Sequence, residues 1–507
     1  MGNKLTQTEL PPKEKQPSFW LPLIAIIIGA FVAILNNSLI NVAIPKLMTV
    51  FGSTQDKIQW VLTGYMLASG VIIPITGYAG DRLGYKRFFL LALSVFTFGA
   101  FLCSIAWSDT TLIIARVIQG LGGGVIMPIS MAIIYKIVPR DQIGMALGLW
   151  GISAMVAPAI GPTLSGYLIE WFSWRFLFVI NIPVALFALF MVSILLKETE
   201  VDKTKTFDYM GFFLVATSAA TLLYALSNGN SVGWRSFEIV CLLYIAVSTG
   251  ILLIWVEKGK SNPIIDLDLF KNFTFTLSVV VSSLVTVGLF GGIFLMPIFL
   301  QNIQQMSAVD TGLLLMPQAI AMAIMMPISG KLFDKIGVIP LGLVGLTLLS
   351  GLSYALHALT IDTPHSWLIT ILVFRGIGMG LCMMPISTAG MNAVEPRKVG
   401  NASSLSNLVR QVAGSMAIAI LTMIMQKRAS FHGSHIAENI TLDNPAIFQV
   451  GESSGLSFST IGSMIQLEAT TRGIGDTFWV SSLPLFLCIP LVFLFRKRKE
   501  QSFANEK

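Results

Sequence analysis

Long apolar blocks divided by short polar breaks run the length of this chain. Leu21–Leu35, Phe88–Ala106, Phe176–Leu196 and Phe478–Phe495 carry almost no charge. Roughly 18 or more such residues wound as a helix cross the ~30 Å hydrocarbon layer of a bilayer. A helix also satisfies its own backbone hydrogen bonds, which lipid cannot do. The pattern predicts 14 spans, at 20–44, 57–79, 87–107, 110–136, 143–169, 175–196, 209–228, 237–256, 274–300, 307–331, 338–359, 366–390, 400–426 and 477–496. The expected fold class is therefore an all-α membrane protein. The first block does not read as a cleaved signal peptide: about 19 polar residues precede it, and it ends in Asn36, Asn37 and Asn41 instead of a small-residue cleavage site. Most connections are short. The exception, 427–475, carries Lys427, His432, Glu438, Asp443, Glu452 and Glu468, and is expected to be an outer loop with a short surface helix near Thr460–Ala469.

Composition agrees. Of 507 residues 54% are hydrophobic and 12% charged, with a mean hydropathy of +0.77; soluble proteins carry about 25% charge. The four cysteines lie in apolar blocks with no CxxC pair, and the four histidines lack ligand spacing, so no metal site is expected. The net charge of +7 raises the question of a nucleic-acid partner, and its distribution answers it. With the N-terminus in the cytoplasm, about 23 Lys and Arg fall on the cytoplasmic side and about 7 outside, which is the positive-inside bias. That bias sets orientation, with both ends cytoplasmic, and gives no reason to invoke nucleic acid. The bilayer is the expected partner.

The chain also repeats itself. PITGYAGDRLG at Pro74–Gly84 matches PISGKLFDKIG at Pro327–Gly337, MPIS at Met127–Ser130 recurs at Met384–Ser387, and Gly144–Ala146 recurs at Gly400–Ala402. Parallel repeats need an even number of spans each. That divides the chain into a tail (1–19), a six-helix bundle (20–200), an inserted helix pair (201–260), a second six-helix bundle (261–496) containing loop 427–475, and a tail (497–507). Repeats of this kind put a substrate route at their interface, near the membrane midplane.

Several residues can carry chemistry. In the loop Gly77–Arg87, Gly77 and Gly84 permit tight turns, Asp81 can face a helix dipole, Arg82 can pair with an acid, and Lys86 and Arg87 anchor topology. Its degenerate copy holds Gly330, Asp334 and Gly337. Together they read as paired gates; a solvated turn is the alternative. Arg116, with Gln119 one turn on, is an intramembrane arginine and a functional candidate, against the alternative of snorkelling to the interface. Arg375 holds the comparable place in the second half, and Arg410, beside Asn407 and Gln411, lies deeper. Gly148, Gly161 and Gly166 leave a smooth helix face, and Pro158 and Pro162 bend it. Trp60, Tyr65, Met127, Phe290, Phe294 and Gln301, with Asn407 and Gln411, are the expected cavity lining; plain packing is the alternative for each. Gly120–Gly124 and Gly376–Gly380 follow no strand, and no GxxxxGK[ST] occurs, so ATP is not the expected energy source.

The loop Gly77–Arg87 resembles the signature of the major facilitator superfamily. Leu35–Pro45 resembles the first-span motif of its 14-span drug/proton antiporters, and Arg116-x-x-Gln119-Gly120-x-Gly122 the fourth-span motif linked to proton transfer. Gly148, Ala157, Gly161-Pro162 and Gly166 follow the fifth-span antiporter pattern, with Ala157 and Ser165 where that pattern prefers glycine. Trp174-Arg175-Phe176 and Asn181-x-Pro183 resemble the start of the sixth span. The resemblance covers nearly the whole chain. It implies a major facilitator fold of two six-helix bundles plus an inserted pair. It further implies a cell-membrane exporter of small amphipathic compounds, drugs among them, working as a monomer on a proton gradient without a cofactor. Such a protein is not an enzyme.

One departure matters. Asn36 stands where that family usually has an aspartate, and no acid is expected in mid-span; the nearest are Asp81, Asp109, Glu170, Asp208, Asp310, Asp334 and Asp476 at span ends. Three intramembrane arginines without a central acid make the expected cavity electropositive, favouring neutral or anionic amphiphiles over lipophilic dications. Rival readings are an exporter of one metabolite, anion or lipid, and a receptor or scaffold without turnover, which would need neither the repeat nor the paired gates.

Overall fold

A computed structural model describes residues 19–139, 142–199, 201–260, 262–439 and 458–495. The apolar blocks form helices α1 (Trp20–Phe51), α2 (Gln55–Ile72), α3 (Ile75–Leu83), α4 (Tyr85–Ser104), α5 (Asp109–Ile137), α6 (Ile143–Trp171), α7 (Phe176–Val179) and α8 (Asn181–Leu195), then α9 (Tyr209–Val232) and α10 (Phe237–Glu257). After these come α11 (Phe273–Ile298), α12 (Ala308–Ile336), α13 (Val338–Ala355), α14 (His365–Asn392), α15 (Val399–Asn439) and α16 (Phe458–Val492). Among the described residues 12 helices are long and apolar enough to cross a membrane, or up to 14 if each bent pair is one span. One such pair, α2 and α3, bends by 58° where Pro74 cannot donate to the helix ladder.

Local chemistry marks the ends. Ser108, Asp208, Ser236, Asn272 and Ser307 each accept a backbone N–H at a helix start. The final glycine of each gating motif, Gly84 (φ 89°) and Gly337 (φ 79°), stops its helix in a conformation other residues seldom adopt.

Buried side chains form three cores. One lies within the first bundle around Leu39, Ile58, Leu112 and Phe178, and one within the second around Phe299, Leu356, Leu368 and Phe478. The third joins both bundles at the end that carries Asp81, through Tyr85, Ile133, Leu147, Met326 and Ala402. Of the inserted pair, α9 packs inward between α2 and α15: the Trp60 and Tyr224 rings lie 5.5 Å apart, tilted by 40°, and Asn230 donates to the Ala419 carbonyl at 2.9 Å. Helix α10 faces outward, with Phe237, Tyr244 and Trp255 at least 75% exposed, as lipid-facing residues would be.

The expected loop 427–475 needs correction. α15 continues to Asn439 and α16 begins at Phe458, so much of the stretch is an antiparallel helical hairpin. Charge excludes a segment from lipid but does not prevent it from being helical. At 1.5 Å per residue the 41 residues of α15 reach about 60 Å, twice the hydrocarbon thickness. The expected surface helix near Thr460–Ala469 is the first part of α16, while Asp443 and Glu452 lie outside the described residues.

Candidate transport route and gates

Asp81 is buried and held from three sides. The Tyr85 hydroxyl donates to it at 2.9 Å, Lys205 Nζ stands at 2.6 Å and Lys136 Nζ at 3.9 Å. The Asp81 carbonyl accepts the Asp202 N–H at 2.9 Å, and Arg82 donates to the Lys203 carbonyl. Arg82 therefore finds a backbone oxygen where an acid was expected. The gate is strapped by the segment leading to α9, which crosses over it. Glu198 completes the strap, accepting the N–H groups of Lys86 and Arg87 at the start of α4, where the helix dipole favours a carboxylate. Lys86 Nζ reaches the Ser193 carbonyl at 2.7 Å.

Each gating motif docks on the opposite half. Gly77 of the first loop lies against Asn401, and a side chain at Gly400 would strike the Tyr85 hydroxyl. Gly330 of the second motif lies against Gly144, whose own Cβ would stand 2.5 Å from the Gly330 carbonyl and 2.7 Å from Asp334. The two short repeats, Gly-Met-Ala and Gly-Asn-Ala, are thus the receiving surfaces of the two gates. Ser403 and Ser404 of α15 add hydrogen bonds to the Pro128 (2.8 Å) and Ile73 (2.6 Å) carbonyls of the first half. On the other flank α6 and α12 touch from Gly144 to Gly166, which meets Val309. A methyl on Gly148 would stand 2.6 Å from the Met326 carbonyl. Gly161 instead faces Ser38 of α1, whose hydroxyl bonds the Pro158 carbonyl, and Ala157 is fully buried. The fifth-span pattern therefore serves two partners, α12 and α1. Pro162 sits half-buried between these contacts.

The profile of the Major Facilitator Superfamily matches residues 26–418. The chain belongs to that superfamily. An uncharacterized MFS-type transporter, YhcA of Bacillus subtilis, is 36% identical over 502 residues, covering 96% of this chain and 94% of its own. The probable multidrug resistance protein EmrY of Escherichia coli is 30% identical, covering 94% of both chains. A multidrug resistance protein B homolog of Mycobacterium tuberculosis is 32% identical over 79% of this chain and 75% of its own. Among solved structures, the human organic anion transporter MFSD10 superposes with a TM-score of 0.63 at 15% identity, over 95% of this chain and all of that one, a likeness of fold. The protein is a membrane transporter of the major facilitator fold and not an enzyme.

Within that fold the arginines divide. Arg116 is fully buried inside the first bundle: it donates to the Val61 carbonyl (2.9 Å) and to Gln119 Oε1 (2.9 Å) and lies 4.1 Å above the Tyr65 ring. Gln119 donates on to Asn36 at 3.1 Å, and Asn181 reaches the same Asn36 oxygen at 3.4 Å. Asn36 Nδ2 and Arg116 Nη2 are buried without a protein partner. Arg375 is fixed similarly, donating to Ser353 (3.0 Å) and to the Gly288 carbonyl. Both are held inside their own bundles, so the expectation that Arg116 tunes a central cavity is corrected. Arg410 alone of the three is half-buried, bonded to Asn407 Oδ1 at 2.9 Å and lining a small hollow.

The expected cavity residues scatter as well. Tyr65 lies under Arg116 and Trp60 against α9, both tied up in packing. Met127, Phe290, Phe294, Gln301, Asn407 and Gln411 are half-buried, Phe290 meeting Gly414 and Phe294 joining the second bundle's core. The side chain of Asn41 lies outside the described residues.

Two features escaped the sequence reading. Lys205 and Glu198 carry no local sequence signal; the fold alone brings them to Asp81 and to the start of α4. Asp476, expected at a span end, lies well inside α16, where Arg428 (2.5 Å) and His432 (2.7 Å) meet one carboxylate oxygen and His357 (3.6 Å) the other. Its place became invisible once the hairpin was read as a loop.

Proposed function

We propose that this chain exports small amphipathic compounds, drugs among them, across the cell membrane by alternating access driven by proton antiport. The observation that carries the reading is the crossed docking of the two gates, Gly77 on Asn401 and Gly330 on Gly144. Contacts of this kind close one end of a path between two pseudo-equivalent bundles. The distribution of lysine and arginine makes that end cytoplasmic, so the state described has its inner gate shut and its strap, Lys205 to Asp81, engaged. The α6–α12 seam, smooth at Gly148, is the surface on which the halves rock. The similarity to multidrug resistance proteins supports outward movement of drugs.

The cluster of Asp476 with His357 and His432 is our candidate for proton binding, since a carboxylate that Arg428 keeps ionised favours a proton on the imidazoles beside it. Purified chain in proteoliposomes, loaded with an internal pH dye, tests the whole reading. Addition of an amphipathic substrate should move protons opposite to the substrate, and substitution of Asp476 by Asn should uncouple the two. Substrate movement without any proton movement would refute the coupling, and no movement of any compound would refute export.

A further inference from the structure

The two halves are repeats, and one point of difference between them has the chemistry of a binding site. Counting from the paired glycines Gly144 and Gly400, the sixth residue onward is Trp150 in the first half and Ser406 in the second, and the tenth is Ala154 against Arg410. In the first half the Trp150 ring is buried, 2% exposed, and its indole N–H donates to Ser130 at 2.8 Å. Ser130 closes the first MPIS repeat; its counterpart closing the second is Ser387. Ser406 stands where the first half has that tryptophan, so no indole is available to Ser387 from this position. In that place is a hollow between α11, α14 and α15, lined by Ser278, Ser282, Ser387, Ser406 and Arg410 over a floor that includes Phe275 and Met391.

Several donors in this hollow are not engaged by the protein. Ser278 donates to the Ile386 carbonyl at 2.6 Å, and Arg410 spends one N–H on Asn407. Among the described residues the hydroxyls of Ser282, Ser387 and Ser406 have no hydrogen-bond partner, and Arg410 has no carboxylate. A guanidinium surrounded by hydroxyls with no acid is the arrangement that receives a planar or tetrahedral oxyanion, because charge-assisted bonds to arginine are strong and directional. The hollow is small, about 10 Å³, room for roughly one water-sized group, so a single oxygen of a polar head enters it and the rest of the ligand stays outside.

We propose that Arg410, with Ser387 and Ser406, forms an anion subsite that takes the carboxylate, sulfonate or phosphate end of an amphiphile while its apolar part remains in the central route. The assignment of that amphiphile as cargo rests on the export reading; the binding chemistry does not.

Two probes of equal shape, radiolabelled 2-naphthoate and its neutral counterpart 2-naphthamide, test this by scintillation-proximity binding to the purified full-length chain in phosphatidylcholine nanodiscs. The wild-type chain should bind naphthoate at least tenfold more tightly than naphthamide. Arg410→Gln should weaken naphthoate at least tenfold and naphthamide less than threefold, and Arg410→Lys should retain part of the preference. Ser406→Trp, which rebuilds the first half's arrangement, should abolish naphthoate binding and spare naphthamide. Equal affinities in the wild type, or a preference that survives Arg410→Gln, would overturn the proposal. Nanodiscs containing phosphatidylglycerol separate the sources. If that lipid competes with naphthoate only when Arg410 is present, the anion site stands and takes lipid headgroups; if it does not compete, the site stands for soluble anions. A chain that binds naphthoate through Arg410 and exports nothing would defeat the export reading and leave this one intact.

Discussion

Arg116 illustrates what a single buried charge asks of its surroundings. Its guanidinium meets one carbonyl, one amide oxygen and an aromatic face, none of them acidic, and Nη2 stays unmatched among the described residues. Truncation to alanine leaves the Gln119 amide and the Val61 carbonyl without their partner, and each buried polar group left unmet costs about 1–3 kcal/mol. Arg116→Ala is therefore expected to lower the thermal midpoint of the purified chain by several degrees and to cut its yield. Unchanged stability with selective loss of drug resistance would instead assign the residue to the transport route. Arg375→Ala should behave alike, since its contacts to Ser353 and Gly288 are equally internal. Arginine type and position were readable in the sequence. Which of the three faces a hollow was not, because a span of helix presents every direction and only packing chooses among them. Asn36 is a related case: the sequence marks a missing acid, and the fold adds that the amide substituting for it is wired to Gln119 and Asn181.

At the scale of elements the α6–α12 seam and the strap make separate predictions. Backbone meets backbone at Gly144 and Gly330, so Gly144→Leu must push the helices apart; overpacking of this kind costs about 1–3 kcal/mol. Membrane insertion should persist while transport falls at least tenfold, measured as retention of a fluorescent substrate in cells. Transport at the wild-type rate would show that the seam need not stay close. The strap is a weaker device. Asp81 is buried and Lys205 only partly solvated, with side chains 10% and 23% exposed, so desolvation of both charges offsets much of their attraction. Lys205→Ala is expected to open the gate more often, seen as two- to fivefold faster labelling of a cysteine placed at Ser403, without loss of folded protein. The inserted pair is pinned by Asp208 and Lys260 at 2.7 Å. Burial pushes the Asp208 carboxyl up, but Lys260 and the Gly211 amide outweigh it and hold the group below its ordinary value. The stability this adds is complete above the unfolded value near 3.9 and is lost as pH falls through the folded one. Asp208→Asn should therefore lower the thermal midpoint at pH 7, and the difference should shrink as pH falls below the ordinary carboxylate range.

For the whole molecule, the all-helical membrane fold and the internal repeat could be read from the pattern of apolar blocks and the two glycine-rich motifs. Hydropathy is a reliable guide to what lipid will accept, which is why the spans emerged. It is blind to helices that continue into water, which is why the hairpin of α15 and α16 was taken for a loop and Asp476 was misplaced with it. The strap was hidden for another reason: Lys205 lies far from Asp81 in sequence, and no local periodicity encodes that meeting. The proposed function joins these parts through motion of one bundle against the other. Spin labels at Leu83 and Arg397, exposed positions beside the two halves of the inner gate, report that motion directly through pulsed electron–electron distance measurements, with the four native cysteines replaced by alanine. Two distance populations are expected, exchanging weight when pH is lowered or substrate is added. A single distance, unmoved by either, would contradict rocking about the seam.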